Sequence, residues 1–375
     1  MAYLFWFSIG FVFYTYLAYP VLVWFFSWIF AKEIKHCNDF LPPLSIVISV
    51  YNEAEHIEEK IRSIYASNYP SDRIEVLVGL DGCSDGSFEV LKRLVDEFPN
   101  LKIFNYPYRR GKAAVINDLI TKVQHNIIVF TDARQYLDRL ALRRLVSPLA
   151  DPSVGSVSGE LVFLDDKGEI KEDIGLYWRY EKFIRNCESR LHSMLGATGA
   201  LYAMRREFVK PLPENMILDD VYQPFNAIKA GRRAIFQRGA VIYDRVSRNE
   251  WDEFERKLRT LIGNFQLIKM DSFYLSPKNP VLWQFLSHKV FRLFVPYALI
   301  VSYISSVFLN DSIIGLFAFA GQSLFYILAL VPIAGGIKPR LRIMSLPYTF
   351  VILNLAAVVA LVRFVRGEYS VKWRD

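Results

Sequence analysis

The stretch from Leu44 to Ser87 narrows the choice of fold more than any other. Ser45-Ile-Val-Ile-Ser-Val50 is a short run rich in β-branched residues, and it stops at Tyr51-Asn52-Glu53. A helix signal follows. Asn52 is a candidate cap, and Glu55 stands three residues on, as in a capping box. Ile57, Ile61 and Ile64 then repeat at helical spacing. A second apolar strand, Ile74-Glu-Val-Leu-Val-Gly-Leu80, ends at Asp81-Gly-Cys-Ser-Asp85-Gly86-Ser87. The pattern is strand, helix, parallel strand. Ligands of open α/β sheets bind beyond the carboxyl ends of the strands. Tyr51, Asn52, Glu53, Asp81 and Asp85 are therefore expected around one crevice.

The alternation continues. Leu91, Leu94, Val95 and Phe98 mark a helix, and Lys102 to Asn105 a strand. Arg109-Arg-Gly-Lys112 opens a helix carrying Ala113, Ile116 and Ile120, and Asn126 to Thr131 is a buried strand ending at Asp132-Ala-Arg134. This order predicts a parallel α/β sheet. Further on, Val154 to Val162 and Ala234 to Tyr243 read as strands, Tyr177 to Arg190 as a helix, and Asp165 to Asp173 as an exposed loop. Gly196-Ala-Thr-Gly199 is a small-residue turn, and Leu218-Asp219-Asp220 begins a helix.

The two ends have another character. The chain of 375 residues is 53% hydrophobic and 15% aromatic, and the excess lies outside the α/β region. Tyr3 to Phe30 is almost uninterrupted apolar sequence with no polar face, long enough to cross a bilayer. Lys32 and Lys35 follow it, which places that end in the cytoplasm and the N-terminus outside. Glu250 to Lys269 is amphipathic, with Trp251, Phe254, Leu258, Leu261 and Phe265 on one face. Trp283 to Arg292 reads as an interfacial helix. Leu293 to Leu309, Ile313 to Ile333 and Ile343 to Val362 are apolar runs, and Arg363, Arg366, Lys372 and Arg374 make a basic tail. Three full crossings would put that tail outside, so one of these runs is expected to be re-entrant or interfacial. The net charge of +7 is spread along the chain, with no recognisable nucleic-acid module. Cys37, Cys83 and Cys187 lack metal-ligand spacing and fit reduced thiols.

Each polar candidate has a plain alternative. Asp81 either accepts hydrogen bonds from a nucleotide or is a turn residue; Asp85 is the better cap. Asp132 either ligates Mg²⁺ or Mn²⁺ beside a diphosphate or ends a turn. Lys112, after Gly111 at a helix start, faces phosphate or solvent. Asp219 and Asp220 cap a helix, or one is a base near Thr198-Gly199. Arg256 and Arg259, three apart, form a solvated face or bind phosphate.

Taken in order, these motifs resemble the membrane-bound family 2 glycosyltransferases of the GT-A fold, the group with cellulose, hyaluronan and poly-N-acetylglucosamine synthases. The motifs are Val-Tyr-Asn-Glu53, Asp81-Gly-Cys-Ser-Asp-Gly86, Gly111-Lys112, Thr-Asp132-Ala-Arg, Thr198-Gly199-Ala, Leu-Asp219-Asp220 and Arg256-Lys-Leu-Arg259. The resemblance implies an α/β nucleotide-diphospho-sugar transferase domain with flanking transmembrane helices. Its segments would be 1–37 as an N-terminal membrane helix, 38–270 as a cytoplasmic catalytic domain, and 271–375 as interfacial and membrane helices. Tyr51, Glu53, Asp81 and Lys112 would bind the nucleotide, and Asp132 a Mg²⁺ or Mn²⁺ ion. Asp220 would be the base, with Thr198, Gly199 and Asp219 at the sugar and acceptor. Arg256 and Arg259 would hold the departing diphosphate. The donor would be a nucleotide-diphosphate sugar, a UDP-sugar by this likeness. The acceptor would be a lipid-linked saccharide, a growing polysaccharide or polyprenyl phosphate, and no nucleic acid is implied. Two departures stand out. Arg134 replaces an Asp or Asn of the family motif, and Thr260 stands where processive synthases have Trp. The first keeps open a non-catalytic membrane subunit that binds nucleotide sugar.

Overall fold

The computed structural model describes residues 1–165, 168–170, 176–245, 250–309, 312–335 and 342–368. Part of the expected Asp165–Asp173 loop and the tail beyond 368 lie outside them. The chain divides into two compact units. One is built on Trp24–Arg248 and Pro277–Val281; the other is Met1–Val23, Asn249–Ser276 and Leu282–Tyr369.

The chain begins as α1 (Ala2–Phe13), a π-helical turn (Tyr14–Ala18) and α2 (Tyr19–Ile29). The larger unit then alternates strands and helices: β1 (Leu44–Val50), α3 (Ile57–Tyr65), β2 (Ile74–Asp81), α4 (Ser87–Glu97), β3 (Leu101–Tyr106), α5 (Lys112–Lys122) and β4 (Ile127–Phe130). There follow β5 (Tyr136–Leu137), α6 (Ala141–Val146), β6 (Val154–Leu164), α7 (Leu176–Leu191), β7 (Tyr202–Arg205), α8 (Asp219–Lys229) and β8 (Arg233–Arg245). The eight strands form one sheet in the order β3-β2-β1-β4-β7-β6-β8-β5.

Half of that sheet is as expected. β3, β2, β1 and β4 are parallel neighbours. Leu44, Ile46, Ile48, Val50, Val76, Val78 and Leu80 are all fully buried. Side chains cover both faces of these strands, as in parallel sheets generally. Each such side chain contributes about 1.5–3 kcal/mol of burial. The other half is mixed, which the sequence pattern did not indicate. β7 runs antiparallel to β4 and β6, β5 antiparallel to β8, and only β6 and β8 are parallel. Strand direction depends on how connections return, which apolar runs do not encode.

The capping box is also corrected. α3 starts at Ile57 with no side-chain cap. Asn52 has φ 51° and its Oδ1 instead accepts the Ser84 N–H at 2.9 Å, so it ties β1's end to β2's loop.

In the other unit, α9 (Glu250–Met270) precedes α10 (Leu282–Phe285), a π-helical turn (Leu286–Val290), α11 (Phe291–Val307), α12 (Ile313–Gly335) and α13 (Arg342–Arg366). The expected interfacial helix and the span after it are one continuous helix, Leu282–Val307, because no breaker separates them and the π turn absorbs the polar residues. Among the described residues, four helices are long and apolar enough to cross a membrane: Ala2–Ile29, Leu282–Val307, Ile313–Pro332 and Ile343–Arg366. Polar contacts join them pairwise. Tyr14 and Ser287 hydroxyls lie 2.7 Å apart, and Ser302 donates to Gln322 at 3.1 Å. The Arg363 guanidinium meets both Glu255 carboxylate oxygens, and Phe265 stacks on Phe364. Leu258 and Leu261 of the predicted α9 stripe are buried, while the Trp251 side chain lies outside the described set.

Candidate active site

The crevice lies at the carboxyl ends of β1, β2 and β4. Asp81, the last residue of β2, is buried, and its two carboxylate oxygens accept the N–H groups of Arg110 and Gly111 at 2.6 and 2.8 Å. It thereby ties β2's end to the loop that starts α5. That loop passes so close that a side chain at Gly82, which has φ +66°, would meet the Arg109 nitrogen at 2.6 Å. Arg109 lies over the Tyr51 ring at 3.7 Å. The Glu53 N–H donates to Ser87 Oγ, and Asp85 accepts from the backbone of Ala54 and Ser87. The expected cap role of Asp85 thus extends to pinning the β1 loop. Burial raises the Glu53 pKa, Arg134 opposes the rise, and Asp132, Asp85 and Asp244 add to it.

A second group meets at the seam between the halves of the sheet. Lys112 Nζ lies 3.0 Å from Asp132 Oδ1 and 3.1 Å from Asp219 Oδ2. Burial by itself would lower the Lys112 pKa; Asp132 and Asp219 overcome this and raise it above its ordinary value. Lys112 was expected to face phosphate, and here its ammonium is held between two carboxylates. A Cβ built on Gly199 would lie 3.5 Å from Asp132 Oδ2 and 3.7 Å from Asp220 Oδ2. Asp132, Gly199 and Asp220 are therefore neighbours.

The attachment of the glycine turn to Asp220 has a local cause. Pro224 sits inside α8. Having no N–H, it cannot bond the carbonyl four residues back, that of Asp220. The Ala197 N–H donates to that carbonyl instead, at 2.8 Å. The next turn residue, Thr198, donates its N–H to Ser158 Oγ at 3.0 Å.

One participant was missed. Lys60 is fully buried, and its ammonium donates to Thr131 Oγ1 at 2.5 Å, while that hydroxyl donates to the Ala200 carbonyl. Burial, opposed by Asp132 and Asp244, brings its pKa down to about 7. The signal was present: Ile57, Lys60, Ile61 and Ile64 share the i, i+3, i+4, i+7 spacing of one helix face. Arg256 and Arg259 belong to the other unit, on α9, with Arg256 exposed and Arg259 half-buried.

A family model described as glycosyl transferase family 2 matches residues 45–212, the span from β1 past the glycine turn. That stretch is similar to family 2 glycosyltransferase domains. The family match and the glycosyltransferase names of its relatives support a transferase. Glycosyltransferase AglE of Haloferax volcanii is 28% identical over 240 residues, covering 63% of this chain and 77% of its own. Poly-beta-1,6-N-acetyl-D-glucosamine synthase of Staphylococcus aureus is 22% identical over 260 residues, covering 65% of this chain and 62% of the synthase. Mannosyltransferase PcManGT from Pyrobaculum calidifontis, solved with GDP-Man and Mn²⁺, superposes with a TM-score of 0.74 at 22% identity, over 98% of this chain and 100% of that one. The glycosyltransferase domain accordingly has the GT-A fold.

The residues present suit a divalent ion. Asp132 keeps one carboxylate oxygen beside Gly199 while Lys112 takes the other. Mg²⁺ and Mn²⁺ prefer oxygen, and Mg²⁺ is commonly held by one or two carboxylates together with substrate phosphates. No group of three or more His, Cys, Asp or Glu that could hold a metal is found among the described residues, so donor phosphates would have to complete the shell.

Proposed function

We propose that the chain is an inverting glycosyltransferase acting at the cytoplasmic membrane face on a lipid-linked saccharide or growing polysaccharide. The observation that carries this reading is that Asp132 and Asp220 both lie beside Gly199, their Oδ2 atoms 3.5 and 3.7 Å from where its Cβ would be. A residue without a side chain leaves room for a sugar between a base and a diphosphate site. Asp220 would take the proton of the acceptor hydroxyl as its oxygen bonds the anomeric carbon. The bond from that carbon to the diphosphate oxygen breaks in the same step, with inversion.

Tyr51, Glu53 and Asp81 would frame the nucleotide. Asp81 would act mainly by fixing the Arg110–Gly111 backbone, since both its oxygens are engaged there. Lys112 would keep Asp132 and Asp219 in register. Thr198 would line the acceptor side. A Mg²⁺ or Mn²⁺ ion at Asp132 would supply further neutralising charge on that diphosphate. The donor is a UDP-sugar by resemblance; the presence of GDP-Man in the structural neighbour makes GDP-mannose the donor to test beside it.

The test is transfer from UDP-N-acetylglucosamine, UDP-glucose and GDP-mannose to membrane lipid extract, with and without Mn²⁺. Asp220→Asn is expected to lower turnover by ~10²-fold or more with nucleotide binding retained. Near-normal turnover in a folded Asp220→Asn protein overturns the assignment of the base.

A further inference from the structure

Arg134 stands two residues past Asp132, and the mechanism above gives it no task. Its surroundings are built. Arg134 Nε lies 3.3 Å from Asp244 Oδ1, and Nη2 donates to the Arg245 carbonyl at 3.2 Å. The next residue, Gln135, donates from Nε2 to Asp244 Oδ2 at 3.1 Å. Asp244, on β8, is only 7% exposed, while the Arg134 side chain remains 39% exposed. One buried carboxylate thus grips both residues that follow Thr131-Asp132-Ala133. A buried carboxylate needs such partners, because leaving it unpaired is strongly unfavourable. The charge of Arg134 is felt at Glu53, across the same crevice.

We propose that Arg134, positioned by Asp244, is a diphosphate-binding residue. It supplies fixed positive charge where the family motif has a second acid, and it makes nucleotide binding only weakly dependent on divalent metal. This rests on the nucleotide-sugar reading above. Guanidinium groups match phosphate oxygens through paired N–H donors, and an arginine held on one side by a carboxylate is already oriented. A second carboxylate at 134 would repel the diphosphate until a metal bridged them. An arginine there attracts it directly, and Asp132 is left as the one motif carboxylate for the ion.

The experiment is calorimetric titration of UDP and of GDP into the full-length protein in detergent, in EDTA and in Mn²⁺, with melting temperature recorded for every variant. In the wild type, one of the two nucleotides should bind in EDTA within about tenfold of its Mn²⁺ affinity. Arg134→Asp should lose ~10-fold or more of the EDTA affinity, the scale of a charged hydrogen bond, and recover it in Mn²⁺. Arg134→Lys should fall between. Asp244→Asn should weaken binding in EDTA more than in Mn²⁺, a difference that a purely structural role would not produce. The proposal is overturned if the wild type binds nucleotide only with Mn²⁺, or if Arg134→Asp binds in EDTA as tightly as wild type. Equal weakening of Asp244→Asn under both conditions removes Asp244 from it. If neither nucleotide binds the wild type under either condition, the nucleotide-sugar reading itself fails.

Discussion

On the proposed reading the two halves of the sheet divide the work. The parallel half, β3-β2-β1-β4, supplies Tyr51, Glu53, Asp81 and Asp132 from strand ends. The half formed by β7, β6, β8 and β5 supplies Asp244, and the turns and helix packed on it supply Thr198, Gly199, Asp219 and Asp220. The first set comes from short loops that follow regular strands. The second comes from a turn, a helix start and a strand end beside the place where β6 and β8 lose register between Ser158 and Glu160. The difference suggests that donor recognition rests on the regular half and the chemistry on the irregular one, where a side chain can be aimed by a local break.

The comparison fails at once if the halves cannot be separated by mutation. Asp220→Asn, the largest effect expected, should remove turnover and spare nucleotide affinity. Gly82→Ala should do the reverse. Its φ of +66° and the Arg109 nitrogen 2.6 Å from the new Cβ would push the loop off Asp81. Strain of this kind costs about 1–3 kcal/mol, or roughly tenfold or more in UDP or GDP affinity. Unchanged affinity for both nucleotides would show that the loop tolerates a side chain and that the donor is read elsewhere.

Pro224→Ala tests how the irregular half aims its base. Alanine restores an N–H that can bond the Asp220 carbonyl within α8, in competition with Ala197. The expected outcome is a protein at least as stable as wild type, since proline is unfavourable inside a helix by about 3 kcal/mol. Its turnover should nevertheless fall several-fold, with nucleotide affinity unchanged. A variant that is less stable, or as active as wild type, would reduce Pro224 to packing.

How much of this could be read in the sequence follows the same division. β1, α3 and β2 announced themselves because buried parallel strands are continuous apolar runs and α3 has one apolar face. β5 did not, because two residues, Tyr136 and Leu137, carry no pattern. Neither did the direction of β7, since Tyr202–Arg205 would look the same run either way. Lys112, Asp132, Asp219 and Asp220 were all picked out by motif, but not that the Lys112 ammonium would sit between Asp132 and Asp219, because Lys112 has the ordinary look of a helix-start lysine facing phosphate or solvent. Asp244 was invisible for a further reason: as a single acid inside β8, it acquires its partners only when the chain returns from Arg134, 110 positions away by the numbering. Lys60 was legible and overlooked, one charge on an otherwise isoleucine face.

The smallest effect separates the halves by acid sensitivity. In the parallel half, Glu75 of β2 is 4% exposed and accepts from Lys102, Ser45 Oγ and the Gln124 N–H. Burial alone would raise its pKa; these hydrogen bonds outweigh burial and hold it below 4.5. The unfolded chain therefore takes up the proton first, and the stability Glu75 contributes is lost only as pH falls below about 4.5. In the other half, His192 follows α7 against β8, with Nδ1 3.0 Å from Ser193 Oγ and its carbonyl accepting from Arg233. Burial, then Lys32 and Arg233, lower its pKa from 6.5 to about 4. Between those values the unfolded chain binds a proton that the folded one refuses, so stability drains away from pH 6.5 downward. Hydrogen exchange followed by mass spectrometry at pH 7, 5.5 and 4.5 should show α7 and its junction with β8 losing protection before β1 and β2 do. His192→Gln, which cannot titrate, should delay that loss and leave the behaviour of β2 unchanged. Simultaneous loss in both halves, or an early loss that persists in His192→Gln, would mean that the sheet answers acid as one body and that the division drawn here is functional without being energetic.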